Sequence, residues 1–248
     1  MIEVLRDGSV TRVVLSRADT RNALDLETVR RMRRLLDETT RDPECRVVVL
    51  ESSVPRVFSV GMDLDGLRGT IDRGAGPADL LDIAGEYVGL LDALLRCKCL
   101  TIAAVDGVAV GGGVDLSAAC DITLATSQAA FSIALLRRNV FPVTTYGVLA
   151  PRIGHHAFMQ WLANGQYYSA ERAQRISLVS EVVASDALEH RALELAARFS
   201  AFAPGQVSLG MSMIRRVLAD PVRERAAELS AWLALNLEMF GGARGSPS

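Results

Sequence analysis

The feature that most constrains the fold is the order of the apolar segments, because short strand-like runs alternate with longer helical ones. Two runs, Arg46 to Leu50 and Leu100 to Val105, are apolar enough to be buried strands. Before the first of them, Val29, Met32 and Leu36 place one apolar stripe along a helix. Strands that alternate with helices pair largely in parallel, so this order predicts an α/β fold.

The pattern changes in the C-terminal part of the chain, where only helical periodicity remains after about Ser185. Pro204 and Pro221 mark two helix starts, because proline is tolerated in the first turn of a helix. We therefore expect a core over residues 1–195 and a helical region over residues 196–248 that forms an oligomer. The apolar residues of the last helix that motivate the oligomer are Leu229, Trp232, Leu233 and Leu237.

Local signals place several turns and helix ends. The pair Asp7-Gly8 predicts a tight turn between two short strands, and Asp25 is suited to cap a helix. Residues 52–69 are polar and contain glycine, so they predict a loop. Residues 74–77 predict a mobile loop, after which a helix runs to about Arg96.

Composition excludes several classes of protein. Half of the 248 residues are apolar, which is enough for a substantial core. The formal net charge is -2 with both signs interspersed, so no basic block predicts binding to nucleic acid. No apolar run reaches about 18 residues, the length that crosses a membrane. The N-terminal segment has no signal-peptide pattern, so we expect a soluble cytoplasmic protein.

The four cysteines have no metal-binding pattern. Cys45, Cys97, Cys99 and Cys120 contain no C-x-x-C pair, and the Cys97-Lys98-Cys99 spacing is too tight for a zinc knuckle. We therefore expect buried, reduced thiols and no bound metal.

Two glycine-bearing segments carry the strongest functional signal, and each follows a buried strand. They are residues 57–64, VFSVGMDL, and residues 105–116, VDGVAVGGGVDL. Glycine lets a backbone N–H approach a ligand closely, and a helix that starts near Val114 favours developing negative charge there. No lysine and serine follow the cluster as in a P-loop, and it lies too far along the chain for a dinucleotide fingerprint. No G-x-S-x-G elbow of a hydrolase is present. A purely structural glycine cluster remains the alternative.

Four motifs in order resemble one family. They are Arg21-Asn22-Ala23-Leu24, FSVGMDL, TIAAVDGVAVGGGVDLSAACDI and Ala129-Ala130-Phe131. Their order and spacing resemble the crotonase (enoyl-CoA hydratase/isomerase) family over roughly residues 10–240. Within that family, the aspartate of GGGVDL and the segment after Ala231-Trp232 look most like the dienoyl-CoA isomerase branch.

This resemblance implies a fold, an assembly and a site. The fold is a crotonase (ClpP/crotonase-like) spiral of ββα turns with a C-terminal helical region, and the assembly is a homotrimer or a dimer of trimers. By position, the backbone N–H groups of Met62 and Gly112 form an oxyanion hole for a thioester enolate. Asp115 then lies where the family has an acidic residue, either as general acid/base or as a first-turn helix acid.

The resemblance also implies substrate-binding positions and one structural aspartate. The implied substrate-binding residues are Arg21, Ala23, Ser59, Gly61, Gly111, Leu135, Val143 and Tyr146. Asp63 is expected to bond loop N–H groups. Glu86 and Tyr87, on the helix over the pocket, face either the substrate or the solvent. His155 and His156 are expected to begin a helix.

Two departures from the family pattern bear on the reaction. Leu135 stands where hydratases have a second glutamate, and Val143 where dienoyl isomerases have a further aspartate. Hydration requires two carboxylates in this family, so hydratase activity is doubtful. Double-bond isomerisation needs one carboxylate, and decarboxylation of a β-carboxy thioester needs mainly the oxyanion hole. A pseudoenzyme that only binds thioesters also remains open.

The carrier of the acyl group is less defined by the sequence. Met211 stands where family members often have a lysine near the coenzyme A phosphates. Arg215 and Arg216 are close and either replace it or form a solvated helix face. The partner is therefore an acyl-CoA or an acyl-carrier-protein thioester, with coenzyme A or phosphopantetheine as part of the substrate and no other cofactor.

Overall fold

In the computed structural model, residues 2–133, 140–217 and 226–242 are described. The strands are β1 Ile2–Asp7, β2 Val10–Leu15, β3 Val47–Ser52, β4 Val57–Ser59, β5 Leu100–Val105, β6 Val108–Val110, β7 Ile122–Thr126, β8 Ala130–Ser132, β9 Tyr168–Ser169 and β10 Glu181–Val183. The helices are α1 Leu26–Arg41, α2 Leu64–Asp72, α3 Pro77–Leu95, α4 Gly112–Ala119, α5 Val143–Ile153, α6 His155–Asn164, α7 Ala170–Arg175, α8 Leu188–Ser200, α9 Pro204–Val217 and α10 Ala226–Gly242.

The strands form two sheets. The larger sheet has the order β1-β2-β3-β5-β7-β10 and is parallel except for the β1–β2 hairpin, which turns at Asp7-Gly8. The smaller sheet has the order β4-β6-β8-β9, with β9 antiparallel. In each of the successive pairs β3–β4, β5–β6 and β7–β8, the first strand lies in the larger sheet, the second lies in the smaller sheet, and a helix follows. This is the predicted α/β spiral of ββα turns.

Alternation along the strands of the larger sheet builds two cores. Val48 and Leu50 point to the main core, while Val47 and Val49 point to the opposite face, where α8 packs. Because successive strand residues face opposite sides, both faces of β3 must be apolar, which is why its sequence reads as a continuous run.

Most predicted local features are present in the structure. The Asp25 side chain accepts a hydrogen bond from the Thr28 N–H at the start of α1, α9 begins at Pro204, and α6 begins at His155. The predicted loop over residues 52–69 is wrong in part, because it contains β4 and the start of α2. Strand β4 has only three residues, too few to show a period of two in the sequence.

The C-terminal helix α10 turns back onto the core. It packs against α3, α2 and α5, and its Leu233 and Leu237 are buried. Trp232, on its outer side, is 56% exposed, as is much of Leu209 and Met213 on α9. Pro221 lies outside the described residues. Within the described ranges, no helix has the length and hydropathy required to cross a bilayer.

Candidate functional site

The two glycine-bearing segments meet at one edge of the smaller sheet. Strands β4 and β6 are parallel neighbours, so the segments that follow them leave the sheet at the same edge. A Cβ on Gly61 would lie 2.6 Å from the Gly112 nitrogen and 2.6 Å from the Val110 carbonyl oxygen. With a φ of +83° as well, Gly61 has no substitute that keeps this approach.

Gly112 and Met62 border the same space. A Cβ on Gly112 would lie 3.3 Å from the Met62 nitrogen and 2.8 Å from the Tyr87 hydroxyl. Gly113, the next residue, instead faces the Ser59 carbonyl oxygen, 2.3 Å from its would-be Cβ. The glycine cluster therefore has a packing role at Gly113, while at Gly112 it brings two backbone nitrogens together beside a tyrosine.

A cavity of about 470 Å³ opens at this point and is mostly apolar. Met62, Gly112 and Asp115 all line it, as does the predicted residue Val143. Further apolar lining residues are Val60, Leu64, Val140, Pro142, Leu233 and Leu237. Because α10 supplies the last two, one chain encloses the cavity from both its core and its C-terminal region.

Asp115 lies in this cavity and is 1% exposed. The Tyr87 hydroxyl donates a hydrogen bond of 2.6 Å to its Oδ2. Its Oδ1 is buried and has no hydrogen-bond partner among the residues that the structure describes. Burial raises the pKa of Asp115 to about 7, although the hydroxyls of Tyr87 and Thr145 act in the opposite direction. A carboxyl group with this pKa can both accept and return a proton near neutral pH.

Tyr87 stays protonated beside this carboxyl group. Burial raises its pKa well above 10, and the negative charge of Asp115 and the hydrogen bond to it act in the same direction. Thr144, on α5, adds a second unsatisfied group to the cavity, because its buried Oγ1 has no hydrogen-bond partner within the described ranges. The polar groups of the cavity are therefore few and gather near Asp115.

Three of the predicted substrate-binding residues, Ser59, Ala23 and Arg21, make hydrogen bonds that support the first glycine-bearing segment. Ser59 is buried, donates to the Asn22 carbonyl oxygen at 2.7 Å and accepts from the Gly61 N–H at 3.1 Å. Ala23 accepts from Arg17 through its carbonyl oxygen, and Arg21 is exposed with its carbonyl oxygen bonded to the Val60 N–H.

Gly111 plays a similar part in the second loop, where its φ of +50° lets the chain enter α4. None of these five residues, Arg21, Ala23, Ser59, Gly61 and Gly111, is among the residues that line the cavity. A direct contact with the acyl group is therefore not supported for them.

Of the two other predicted substrate-binding residues, the structure describes Tyr146 but not Leu135. The Tyr146 hydroxyl is hydrogen-bonded to His155 Nδ1 at 3.1 Å, and 37% of the residue is exposed. It does not line the cavity, because the first turn of α5 directs Thr144 and Thr145 inward instead. The predicted pocket role of Tyr146 is not supported by this placement. Leu135 lies outside the described residues.

Of the two residues predicted to lie over the pocket, one faces the outer side of α3 and the other faces the cavity. Glu86 pairs with Arg30 and Arg33 on the outer side of α3, whereas Tyr87 is 2% exposed and lines the cavity. The sequence did contain a signal for Tyr87: it shares an apolar stripe with Ala84 and Leu91 at helical spacing. A buried tyrosine on such a stripe needs a partner for its hydroxyl, which is here Asp115.

The predicted structural role of Asp63 is confirmed, because it caps α2 by accepting the Gly66 N–H at 2.9 Å.

Arg215 does not offer a free cation for a phosphate. It makes a bidentate ion pair with Asp121, at 2.6 and 2.8 Å, and its side chain is 10% exposed. The side chain of Arg216 lies outside the described residues.

A second cavity of about 720 Å³ lies on the other side of Met62. It runs along the starts of α1 and α2, where Asp25, Glu27 and Asp63 make its rim acidic. Within the described part of the chain, no three His, Cys, Asp or Glu residues form a metal site.

Comparisons with known proteins identify the family and agree with the fold. The sequence model described as enoyl-CoA hydratase/isomerase matches residues 6–238. The chain is 30% identical to the mouse (Mus musculus) mitochondrial protein named enoyl-CoA hydratase domain-containing protein 2, over 84% of this chain and 70% of the relative. It is 28% identical to the short-chain-enoyl-CoA hydratase of Clostridium acetobutylicum, over 95% and 86% of the two chains. A solved enoyl-CoA hydratase/isomerase from Xanthobacter autotrophicus Py2 superposes with a TM-score of 0.85 at 27% identity, over 99% and 88%. The dienoyl-CoA isomerase branch is not confirmed by these comparisons.

Proposed function

Because the chain belongs to the enoyl-CoA hydratase/isomerase family, we propose that it acts on an acyl thioester through an enolate, as a double-bond isomerase. The observation that carries this proposal is the position of Asp115. It is a buried carboxyl group with one unpartnered oxygen, in the same cavity as the backbone of Met62 and Gly112.

The proposed chemistry needs one proton carrier. Ionised Asp115 removes a proton from the α-carbon of a β,γ-unsaturated thioester, and the electron pair moves onto the thioester oxygen. The N–H groups of Met62 and Gly112 stabilise that negative charge, a contribution of on the order of 3 kcal/mol for each such donor. The protonated carboxyl group of Asp115 then returns the proton to the γ-carbon, and the double bond ends between the α- and β-carbons.

The apolar lining argues against hydration. Water addition needs one group to activate the water and another to deliver a proton. Among the described residues that line the cavity, Asp115 is the only carboxyl group, and Val143 stands at one predicted acid position. We therefore expect water addition to crotonyl-CoA near background, although several relatives are named hydratases.

The same lining favours decarboxylation as the second candidate. Loss of CO2 from a β-carboxy thioester leaves an enolate for the same two N–H groups. The dry surroundings formed by residues such as Val143 and Leu237 favour removal of the negative carboxylate. A thioester-binding pseudoenzyme predicts neither reaction.

The carrier and the assembly belong to the same proposal. We propose that the pantetheine arm reaches the site through the cavity that shares Met62, as part of an acyl-CoA or an acyl-carrier-protein substrate and without another cofactor. Because Arg215 is already paired with Asp121, it gives no support for binding the phosphates of coenzyme A. Exposed Leu209, Met213 and Trp232 support a homotrimer or a dimer of trimers in which these surfaces are covered.

The test is a panel of thioesters incubated in D2O and followed by mass spectrometry and NMR. The panel contains β,γ-unsaturated, α,β-unsaturated and β-carboxy acyl groups, each on coenzyme A and on a carrier protein. An isomerase shifts the double bond and incorporates deuterium, and Asp115→Asn stops both. A decarboxylase releases CO2 and tolerates that change. Rapid water addition that Asp115→Asn abolishes would overturn the isomerase proposal.

A further inference from the structure

Within the described residues, a single hydrogen bond of 2.6 Å, to one of its two carboxyl oxygens, holds Asp115 in the cavity. Its Oδ2 accepts the Tyr87 hydroxyl at 2.6 Å, while its Oδ1 has no partner in the described part of the chain. A carboxyl group that is bonded on one side cannot exchange its two oxygens without breaking that bond. The free oxygen therefore keeps a fixed direction.

We propose that Tyr87 is a positioning residue, whose hydroxyl holds Asp115 Oδ2 so that Oδ1 is the single oxygen that exchanges the substrate proton. This inference rests on the proposed function and adds to it a residue, a defined atom and a direction of transfer. A proton that leaves and returns through one fixed oxygen stays on one face of the acyl chain.

The surroundings of Tyr87 support a positioning role over simple packing. Its hydroxyl lies against Gly112, where a Cβ would come within 2.8 Å, so the same group touches the oxyanion loop and the carboxyl group. An apolar ring would fill the space equally well without a hydroxyl. The hydroxyl is nevertheless buried here, which costs free energy unless it is bonded.

The raised pKa of Tyr87 excludes it as the proton carrier near neutral pH, because its hydroxyl does not ionise there. Its hydrogen bond lowers the pKa of Asp115, against the larger effect of burial.

Within the described ranges 2–133, 140–217 and 226–242, the neighbouring charged groups are directed away from this pair. On α3, Glu86 is turned to Arg30 and Arg33, and in the first loop Asp63 caps α2. Helix α5 contributes Val143, Thr144 and Thr145 to the cavity, and α10 contributes Leu233 and Leu237, so neither lines it with a described charged side chain. Burial and the hydroxyls of Tyr87 and Thr145 set the direction of the Asp115 pKa shift, so loss of the Tyr87 hydroxyl should change that pKa directly.

The experiment is a pH titration of the Asp115 carboxyl carbon by NMR, in the ligand-free protein labelled with ¹³C-aspartate. The Asp115→Asn variant identifies the signal. We expect Tyr87→Phe to move the titration midpoint to higher pH by about half to one unit, because one hydrogen bond to the charged form is lost. An unchanged midpoint in a folded Tyr87→Phe protein would overturn the inference.

The matched control is Tyr168→Phe. Tyr168 is equally buried, and its hydroxyl accepts one hydrogen bond, from Arg172 at 3.0 Å, outside the cavity. This control should leave the Asp115 midpoint in place. A shift of equal size in the control would show a general effect of destabilisation and would count against a role for Tyr87.

A second measurement covers the case in which Tyr87→Phe does not fold. Incorporation of 3-fluorotyrosine into the wild-type chain makes the hydroxyl a stronger donor, so the Asp115 midpoint should move to lower pH. An unmoved midpoint would overturn the inference without any variant. If the wild type turns over no thioester while these shifts occur, the proposed function fails and the positioning of Asp115 by Tyr87 stands. If it does turn over, Tyr87→Phe should lower kcat about tenfold or more with little change in KM.

Discussion

Two aspartates, the buried Asp115 and the half-buried Asp121, lie six residues apart, one inside α4 and one just after its end, and they are held in opposite ways. Asp121 uses both oxygens: Arg215 binds each of them, and the N–H and hydroxyl of Thr101 bind Oδ2 at 2.9 Å. Asp115 has only neutral hydroxyl groups, of Tyr87 and Thr145, acting on it within the described residues, and its Oδ1 has no hydrogen-bond partner there.

The difference separates a structural carboxyl group from a chemically poised one. The Asp121 pair joins α9 to the core across 94 residues of chain through charge-assisted hydrogen bonds. Asp115 has no ion pair with any residue that the structure describes, and burial raises its pKa to about 7. A carboxyl group whose oxygens are all hydrogen-bonded stabilises a fold. A buried carboxyl group with an unpartnered oxygen lowers stability, and such groups cluster at functional sites.

The largest expected effect concerns stability and pH at Asp115. Its pKa is about 7 in the folded protein and 3.8 as an ordinary value, so between these limits the folded state keeps a proton that the unfolded state loses. Stability therefore falls as pH rises through this window, with a slope that approaches about 1.4 kcal/mol per pH unit. Urea unfolding of wild type and Asp115→Asn from pH 4 to 8 should show a growing advantage for the variant up to about pH 7. A difference that does not change with pH would contradict the raised pKa.

The second largest expected effect comes from removing the Asp121–Arg215 ion pair. Asp121→Ala leaves the buried guanidinium of Arg215 without its partner, so we expect a loss of about 3 kcal/mol of unfolding free energy. Urea denaturation measures it, and Arg198→Ala is the control, since Arg198 pairs with Glu194 while 72% of its side chain is exposed. That control should change stability by about 0.5 kcal/mol or less. Equal losses from the two variants would remove the contrast.

Gly112 tests one side of the comparison, because it lies against the Tyr87 hydroxyl of the Asp115 pair. In Gly112→Ala the new Cβ would lie 2.8 Å from the Tyr87 hydroxyl, so the protein should lose about 1–3 kcal/mol. In the Tyr87→Phe background that hydroxyl is absent, and the same change should cost clearly less. A double-mutant cycle by thermal denaturation measures the coupling. Strictly additive losses would place the clash elsewhere, at Met62 for example.

The smallest effect concerns Thr144, the other unsatisfied group of the cavity. Thr144→Val removes a buried hydroxyl that lacks a partner, so stability should stay equal or rise by up to about 1 kcal/mol. Thr101→Val, which removes a hydroxyl bonded to Asp121, should instead lower stability. The reverse order in calorimetry would mean that Thr144 is satisfied in solution.

The sequence predicted the fold and the centre of the site through its strongest patterns. Buried strands such as β5 are visible as continuous apolar runs, and the two glycine-bearing segments marked the loops that meet at Gly61 and Gly112. The family resemblance added the order of the turns and the positions of Met62 and Asp115.

The rest depended on distances across the fold. Tyr87 and Asp115 are 28 residues apart, and Arg215 and Asp121 are 94 apart, so no local pattern joins them. The family resemblance placed Tyr146 in the pocket, but in the structure it lies at the surface end of the first turn of α5 and is 37% exposed. That α10 closes the cavity of its own chain likewise follows only from packing in three dimensions.

The most direct measurement of the role of Asp115 is the rate of α-proton exchange of a bound thioester in D2O, followed by NMR across pH. With Asp115 Oδ1 as the base, exchange should rise with pH to a midpoint near 7, where the carboxyl group ionises. Asp115→Asn should slow it by about a hundredfold or more while thioester binding persists. Exchange that is equally fast in Asp115→Asn, or absent from the wild type with every thioester bound, would contradict the assignment.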